Sequence, residues 1–290
     1  MPGYRFCRSD DLPALVRAYH ECLAPHVPGA PRITPEILKK RGRMIDFWSS
    51  SCMLAFDDDL AIGVLLAAKR ATETLVLGIG IRDGHRHQGH GRHLIESLAS
   101  KLAILGPPLL LAEVDADDSA TRRFFERCGW REAGTSTDLE LARPAGGTHD
   151  PARSLTARLT FEELVEASGG SFPIGSADSW FRSAETLRHR APELECVAVV
   201  SDRVEAWALA RPLDDLAGAA GARALEVLGI GVPGRQEALS LVVDALVERS
   251  GGSVRVPKLA ATEIEPALLE ALGFRAVRRW LRYALQVGVG

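Results

Sequence analysis

The sequence predicts an α+β fold of two tandem domains, and three observations carry that prediction. The same order of strands and helices runs through both halves of the 290-residue chain. The run Val76-Leu77-Gly78-Ile79-Gly80-Ile81 recurs as Val227-Leu228-Gly229-Ile230-Gly231-Val232, and the segment Phe124 to Trp130 is echoed by Leu268 to Phe274. The echoes keep their order, at offsets of 151 (227 minus 76) and 144 (268 minus 124) residues. A repeat of that length marks a duplicated domain, because solenoid repeats are far shorter.

In the first half, residues 4–8 read as a strand, followed by an amphipathic helix with Leu12, Leu15, Val16, Tyr19 and Leu23 on one face. Thr34-Pro35 has the chemistry of an N-cap and first helical position, with Ile37, Leu38 and Met44 facing inward. Residues 51–59, 61–69 and 74–81 read as three strands joined by charged turns. A helix from Gly91 to Leu105, a strand over 109–115, a helix from Ser119 to Cys128 and a closing strand from Thr137 to Leu141 complete the half. The stretch Ala142 to Ser154 lacks apolar periodicity and is rich in Pro and Gly, which makes it the linker. The expected domains are therefore 1–143 and 155–290, with 144–154 between them. The second half supplies strands over 155–160, 195–202, 204–211, 224–232 and 253–260, with helices starting at Phe161, Gln236 and Ile264 and final strands near Trp280 and Tyr283.

Each half is long enough to bury a core without disulfides or metal. A hydrophobic content of 46%, 25% charged residues and a net charge of −3 describe a globular chain with no basic excess to draw it to nucleic acid. No apolar run reaches the roughly 18 residues of a membrane span, and the charged N-terminus lacks the apolar centre of a secretory signal. The five cysteines are odd in number and scattered, so they read as reduced thiols in a cytoplasmic protein.

Between the strand ending at Ile81 and the helix beginning near Gly91 lies Arg86-His87-Gln88-Gly89-His90-Gly91. Glycines in a strand-to-helix turn allow positive φ and close approach of backbone to a ligand. The first helical turn offers unsatisfied N–H groups and partial positive charge, matched to a pyrophosphate. A nucleotide P-loop needs Gly-Lys-Ser/Thr, and a dinucleotide fingerprint needs a small residue where Leu94 stands, so neither fits.

Here the sequence resembles the GNAT superfamily of N-acetyltransferases. One family signature, Arg/Gln-x-x-Gly-x-Gly/Ala, falls on Arg86 to Gly91, with Asp83 at a usual Pro. The other, Asn-x-x-Ala-x-x-Phe-Tyr-Glu-x-x-Gly-Phe, falls on Asp118 to Trp130. The resemblance implies a mixed sheet in each domain, flanked by helices and splayed between its fourth and fifth strands, with acetyl-CoA in the gap. It assigns cofactor contacts to Ile79, Gly80 and Ile81 on the fourth strand, to Arg86, His87, Gln88, Gly89, His90, Gly91 and Arg92, and to Asp118 and Phe124. Gly78 and Gly80 fit either a bulge or close ligand approach, or relief of packing against a helix.

Acyl transfer to an amine needs the nucleophile positioned, a proton acceptor and donors for the transient oxyanion. Glu73, thirteen residues before Arg86, is the leading base, with a solvated turn glutamate as its other reading. Glu113 is the second candidate, able to act as a base or to pair with an arginine. Phe125 stands where the family carries an acidic Tyr, and it cannot donate a proton. The four histidines His85, His87, His90 and His93 are placed to neutralise phosphate or to face solvent, and no metal is expected.

The second-half counterpart of the loop, Val232 to Ala238, is shorter, lacks Gly-x-Gly and carries Glu237 near any pyrophosphate. That half is expected to keep the fold without the cofactor site. Trp180, Phe181 and Trp207 read either as a cleft lining or as core. The expected activity is acetyl transfer to a primary amine of a small molecule or peptide, by a monomer or homodimer. The alternative is a non-catalytic acyl-CoA-binding or protein-interaction module.

Overall fold

The computed structural model describes residues 2–142, 156–213 and 224–288. The expected linker, 144–154, lies outside the described residues. The chain divides into two compact units, Met1–Gly134 with Leu281–Gly290, and Thr135–Trp280.

The first unit begins with β1 (Gly3–Phe6) and α1 (Leu12–Ala18), which runs into a π-helical turn, Tyr19–Leu23. The single helix expected over these residues therefore changes its winding halfway. Next come α2 (Pro35–Arg43), β2 (Met53–Asp57), β3 (Leu60–Lys69) and β4 (Glu73–Ile81). The Thr34 hydroxyl accepts the Ile37 N–H at 3.3 Å, so the expected cap starts α2. α3 (His90–Leu105), β5 (Leu109–Asp115), α4 (Ser119–Arg127) and β6 (Arg131–Ala142) follow.

Strands β1 to β4 pair antiparallel in sequence order, and β5 adds to β4 in parallel. One face of this sheet meets α3, whose Leu94, Ile95, Leu98 and Leu102 recur at helical spacing and are fully buried. Each such side chain contributes about 1.5–3 kcal/mol by leaving water. The other face carries a separate core with Leu15, Ala18 and Cys22 against Leu54, Val64 and Leu66.

The second unit contains β7 (Thr156–Leu159), α5 (Phe161–Ser168), α6 (Ala184–Arg190), β8 (Glu195–Val200), β9 (Val204–Pro212) and β10 (Leu225–Gly231). It continues through α7 (Glu237–Ser250), β11 (Ser253–Ala260), α8 (Pro266–Ala271) and β12 (Arg275–Gln286). Antiparallel β7–β8–β9–β10 is extended by parallel β11, reproducing the first unit's pattern. Trp180 and Trp207 are core residues, 3% and 1% exposed, which removes them as a cleft lining. Phe181 lies under the Lys258 ammonium, 4.6 Å from its ring centre. The helix α6, capped by the Ser183 hydroxyl, had no counterpart in the sequence reading.

The closing strands differ from expectation. Residues 136–142 of β6 pair with β11 and belong to the second unit, whereas 281–286 of β12 lie beside β5 and belong to the first. Leu281, Tyr283 and Val287 accordingly complete the first unit's core around Phe125 and Trp130. Alternating apolar strands carry the information that they pair, but not which of two similar units they join.

Candidate active site

A bulge organises the site. Leu66 pairs with Gly78 and Ala67 with Val76, so Leu77 is an extra residue in β4. Pairing of β4 with β5 stops at Val76–Ala112, immediately before it. Among the described residues, 78–81 therefore have a strand partner only on the β3 side, and the sheet opens between β4 and β5. Ile79, Gly80 and Ile81 all lie along this open edge. Gly80 has a second constraint. A Cβ there would stand 2.3 Å from the Cys22 carbonyl oxygen and 2.6 Å from Leu23 Cα. The π-helical turn packs directly on it, so Gly80 relieves packing against a helix, while the bulge lies earlier in β4, at Leu77 next to Gly78.

The loop beyond β4 is braced from within. Arg86 Nε donates to the Ile81 carbonyl at 3.2 Å and sits 3.6 Å from Asp83, and Gln88 Nε2 donates to the Gly84 carbonyl at 2.9 Å. His87 takes φ +60° and is exposed. Gly89 is the N-cap of α3 with φ +88°, a backbone that only glycine adopts without strain, and it makes no side-chain cap. The first-turn N–H groups of α3, on His90, Gly91 and Arg92, have no helical acceptor. Nothing lies within 4 Å of where a Gly89 Cβ would be. Arg92 pairs outward with Glu96 at 2.6 Å.

Two of the four histidines turn toward β1. His90 is buried, its Nδ1 2.5 Å from the Tyr4 hydroxyl, and His93 lies against the Tyr4 ring at 3.9 Å between centres. His90 thus offers the loop its backbone N–H, with its imidazole turned to β1. No group of three or more potential metal ligands occurs among the described residues.

The two carboxylates lie on one face of the sheet. Glu73 pairs in register with Leu109, and alternation along β5 places Leu111 and Glu113 on the same side. Glu113 is the first residue past the end of the β4–β5 ladder, and Glu73 stands at its closed start. Glu73 is 3.8 Å from Arg282 of β12, and both are half-buried. Arg282 was not legible as a site residue, since its position beside Glu73 depends on β12 joining the first unit.

The second signature is placed next to the loop. Asp118 caps α4, accepting the Thr121 N–H at 3.0 Å. A Cβ on Gly91 would touch Phe124 Cε2 at 3.3 Å, so Phe124 seals the start of α3. A family model described as "Acetyltransferase (GNAT) family" matches residues 15–130, spanning the open edge, the loop and α4. Residues 15–130 form a GNAT domain.

Solved structures agree with that fold over the whole chain. A GCN5-related N-acetyltransferase from Sphaerobacter thermophilus is 16% identical with a TM-score of 0.65, covering 100% of this chain and 96% of its own. A tandem GNAT protein from the clavulanic acid biosynthesis pathway is 15% identical at TM-score 0.64, covering 99% of each chain. A GCN5-related N-acetyltransferase from Anabaena variabilis is 12% identical at TM-score 0.64, covering 100% of this chain and 74% of its own. At these identities the likeness is one of fold. No curated protein matches the chain.

Within the GNAT domain, Phe125 is 3% exposed, edge-on to Trp130 and stacked on Tyr283 at 6.1 Å. The Tyr283 hydroxyl donates to Glu126 at 2.9 Å. The cysteines are free, and burial pushes the thiols of Cys7 and Cys22 up to about 12 and about 11. The thiol of Cys128, the C-cap of α4, is shifted upward by the same cause. No helix among the described residues is long and apolar enough to cross a membrane.

Proposed function

We propose that the first unit transfers an acetyl group from acetyl-CoA to a primary amine of a small molecule or peptide. The observation that carries the reading is the bulge at Leu77: it ends the β4–β5 ladder where an open strand edge leads straight to an uncapped helix start.

The residues fit the cosubstrate. The left-handed Gly89 cap and the free N–H groups of the first turn of α3 suit a pyrophosphate, and the space above Gly89 is open. Apart from the Ile81 carbonyl, which accepts from Arg86, the backbone that Ile79 and Ile81 turn away from β3 suits hydrogen bonds to an extended chain and an acyl carbonyl oxygen. The thioester supplies the activated acyl group, and the chain supplies position. Glu73 is the base that takes the amine proton, with Arg282 beside it holding the carboxylate in place. Glu113, at the mouth of the opening, is the second carboxylate within the same face. Arg86 and Gln88 shape the loop, Asp118 holds α4, and Phe124 closes the helix start against it.

One observation favours the second reading, a non-catalytic acyl-CoA-binding module. Phe125 is locked in the core where the family carries a Tyr, so no phenol at that position can reprotonate a leaving thiolate.

The test is calorimetry with CoA together with thiol release from acetyl-CoA across an amine panel. Gly89→Glu forces a side chain and a negative charge into the left-handed cap and is expected to abolish CoA binding. Retained affinity in that variant refutes the placement. CoA binding without turnover on any amine moves the conclusion to the second reading.

A further inference from the structure

The second unit repeats the bulge: Val227 pairs with Ala210 and Gly229 with Leu209, leaving Leu228 as the extra residue. Pairing of β10 with β11 ends at Glu226–Arg255, so this sheet also opens. Here the opening is occupied by the chain itself. Arg182, fully buried, donates through Nη1 to the Val227 carbonyl of β10 at 2.7 Å and to the Pro257 carbonyl of β11 at 3.0 Å. Its Nε and Nη2 donate to both oxygens of Glu263, each at 2.7 Å, and Glu263 Oε1 also accepts the Ile230 N–H at 3.1 Å. The strand edges that the bulge frees are thus bridged by an internal ion pair.

The loop after β10 is filled in the same way. Glu205, 5% exposed, accepts the Arg235 N–H at 2.8 Å and the Ser201 hydroxyl at 2.8 Å. The guanidinium groups of Arg235 and Arg203 flank it at 3.8 and 3.9 Å. Gly234 makes room, since a Cβ there would lie 1.9 Å from Glu205 Oε2. A backbone N–H, a hydroxyl and two arginines around one carboxylate form an anion site already holding an anion.

We propose that the second unit is a cofactor cleft filled from within: the Arg182–Glu263 pair stands where the extended arm of an acyl-CoA would lie, and the Glu205 carboxylate stands where its pyrophosphate would. The unit is then a structural copy, and the chain takes up one CoA. That stoichiometry rests on the first unit being the CoA site. The internal occupation of the anion site by Glu205 does not.

Two arms separate these statements. In calorimetry with CoA, the full-length protein is expected to bind one equivalent and its Gly89→Glu variant none. Two equivalents overturn the proposal while leaving the first-unit reading intact, and one equivalent retained in Gly89→Glu overturns both. No binding by either protein sinks the first-unit reading alone. The second arm then decides the proposal, using inorganic pyrophosphate as probe in the Gly89→Glu background. Adding Glu205→Ala is expected to lower Tm by about 5 °C and to let millimolar pyrophosphate raise it again, with no shift in the parent. An unchanged Tm, or equal pyrophosphate shifts with and without Glu205, refutes the filled anion site. Glu205→Ser takes the same measurements should the alanine variant fail to fold.

Discussion

Replacing Glu263 with alanine is expected to destabilise the second unit by about 3–5 kcal/mol, the cost of stripping a buried charge of its partner. The side chains of Arg182 and Glu263 are 0% and 3% exposed, so bulk water does not solvate the orphaned guanidinium. Two charge-assisted hydrogen bonds at 2.7 Å disappear, each worth about 1.5–3 kcal/mol, and Arg182 keeps only the carbonyls of Val227 and Pro257. The Ile230 N–H loses its acceptor as well. For a unit of 146 residues (135 to 280), each kcal/mol moves Tm by about 2–4 °C, giving a fall of about 6–20 °C. Replacing both partners at once, as Arg182→Met with Glu263→Leu, leaves no orphaned charge and is expected to recover most of the loss. Calorimetric scans report the size, and hydrogen exchange of peptides covering β10 assigns it to this unit. A loss below about 1 kcal/mol for Glu263→Ala, or a double variant as weak as the single one, refutes the reasoning.

Gly80→Ala drives a methyl group into the backbone of Cys22 and Leu23, at 2.3 and 2.6 Å, and is expected to cost about 1–3 kcal/mol in denaturant unfolding; wild-type stability would mean that the π-helical turn is not seated there. Glu73→Gln is expected to lower turnover about 10²–10⁴-fold with CoA affinity intact, and unchanged turnover at every pH removes Glu73 as the base. The hydrogen bond from the Arg235 N–H, and then that from Ser201, hold the Glu205 carboxyl below its ordinary value. Its stabilisation is therefore present above the unfolded carboxylate pKa of about 4.3 and is lost as pH falls through the lower folded value. The Tm gap between wild type and Glu205→Gln is expected to be widest near neutrality and to close on acidification. A gap that stays constant down to pH ~3 contradicts this.

The amino-acid sequence by itself determined the duplicated element order, the helix-start loop and the caps, because these depend on residues within a few positions of one another. The Val76–Ile81 run and its copy each place a bulge at the same leucine, Leu77 and Leu228, and a parallel ladder ends one residue before the first and two before the second. Thr34 and Asp118 act as N-caps where local chemistry puts them. Gly89 starts α3 for the same reason: backbone conformation and the helix start are short-range properties.

Tertiary structure decided the rest. Strand exchange brought Arg282 beside Glu73 and Tyr283 against Phe125, although 209 residues (282 minus 73) and 158 residues (283 minus 125) separate them. Nothing in an alternating strand names its neighbour. His90 and His93 read in sequence as imidazoles beside a phosphate, yet the helix they begin turns them toward Tyr4 on β1. In the second half, sequence identified a missing Gly-x-Gly, but not what replaces the ligand. The filling of that opening depends on Arg182 and Glu263 meeting across 81 positions of chain. Packing alone settles which buried charges find each other.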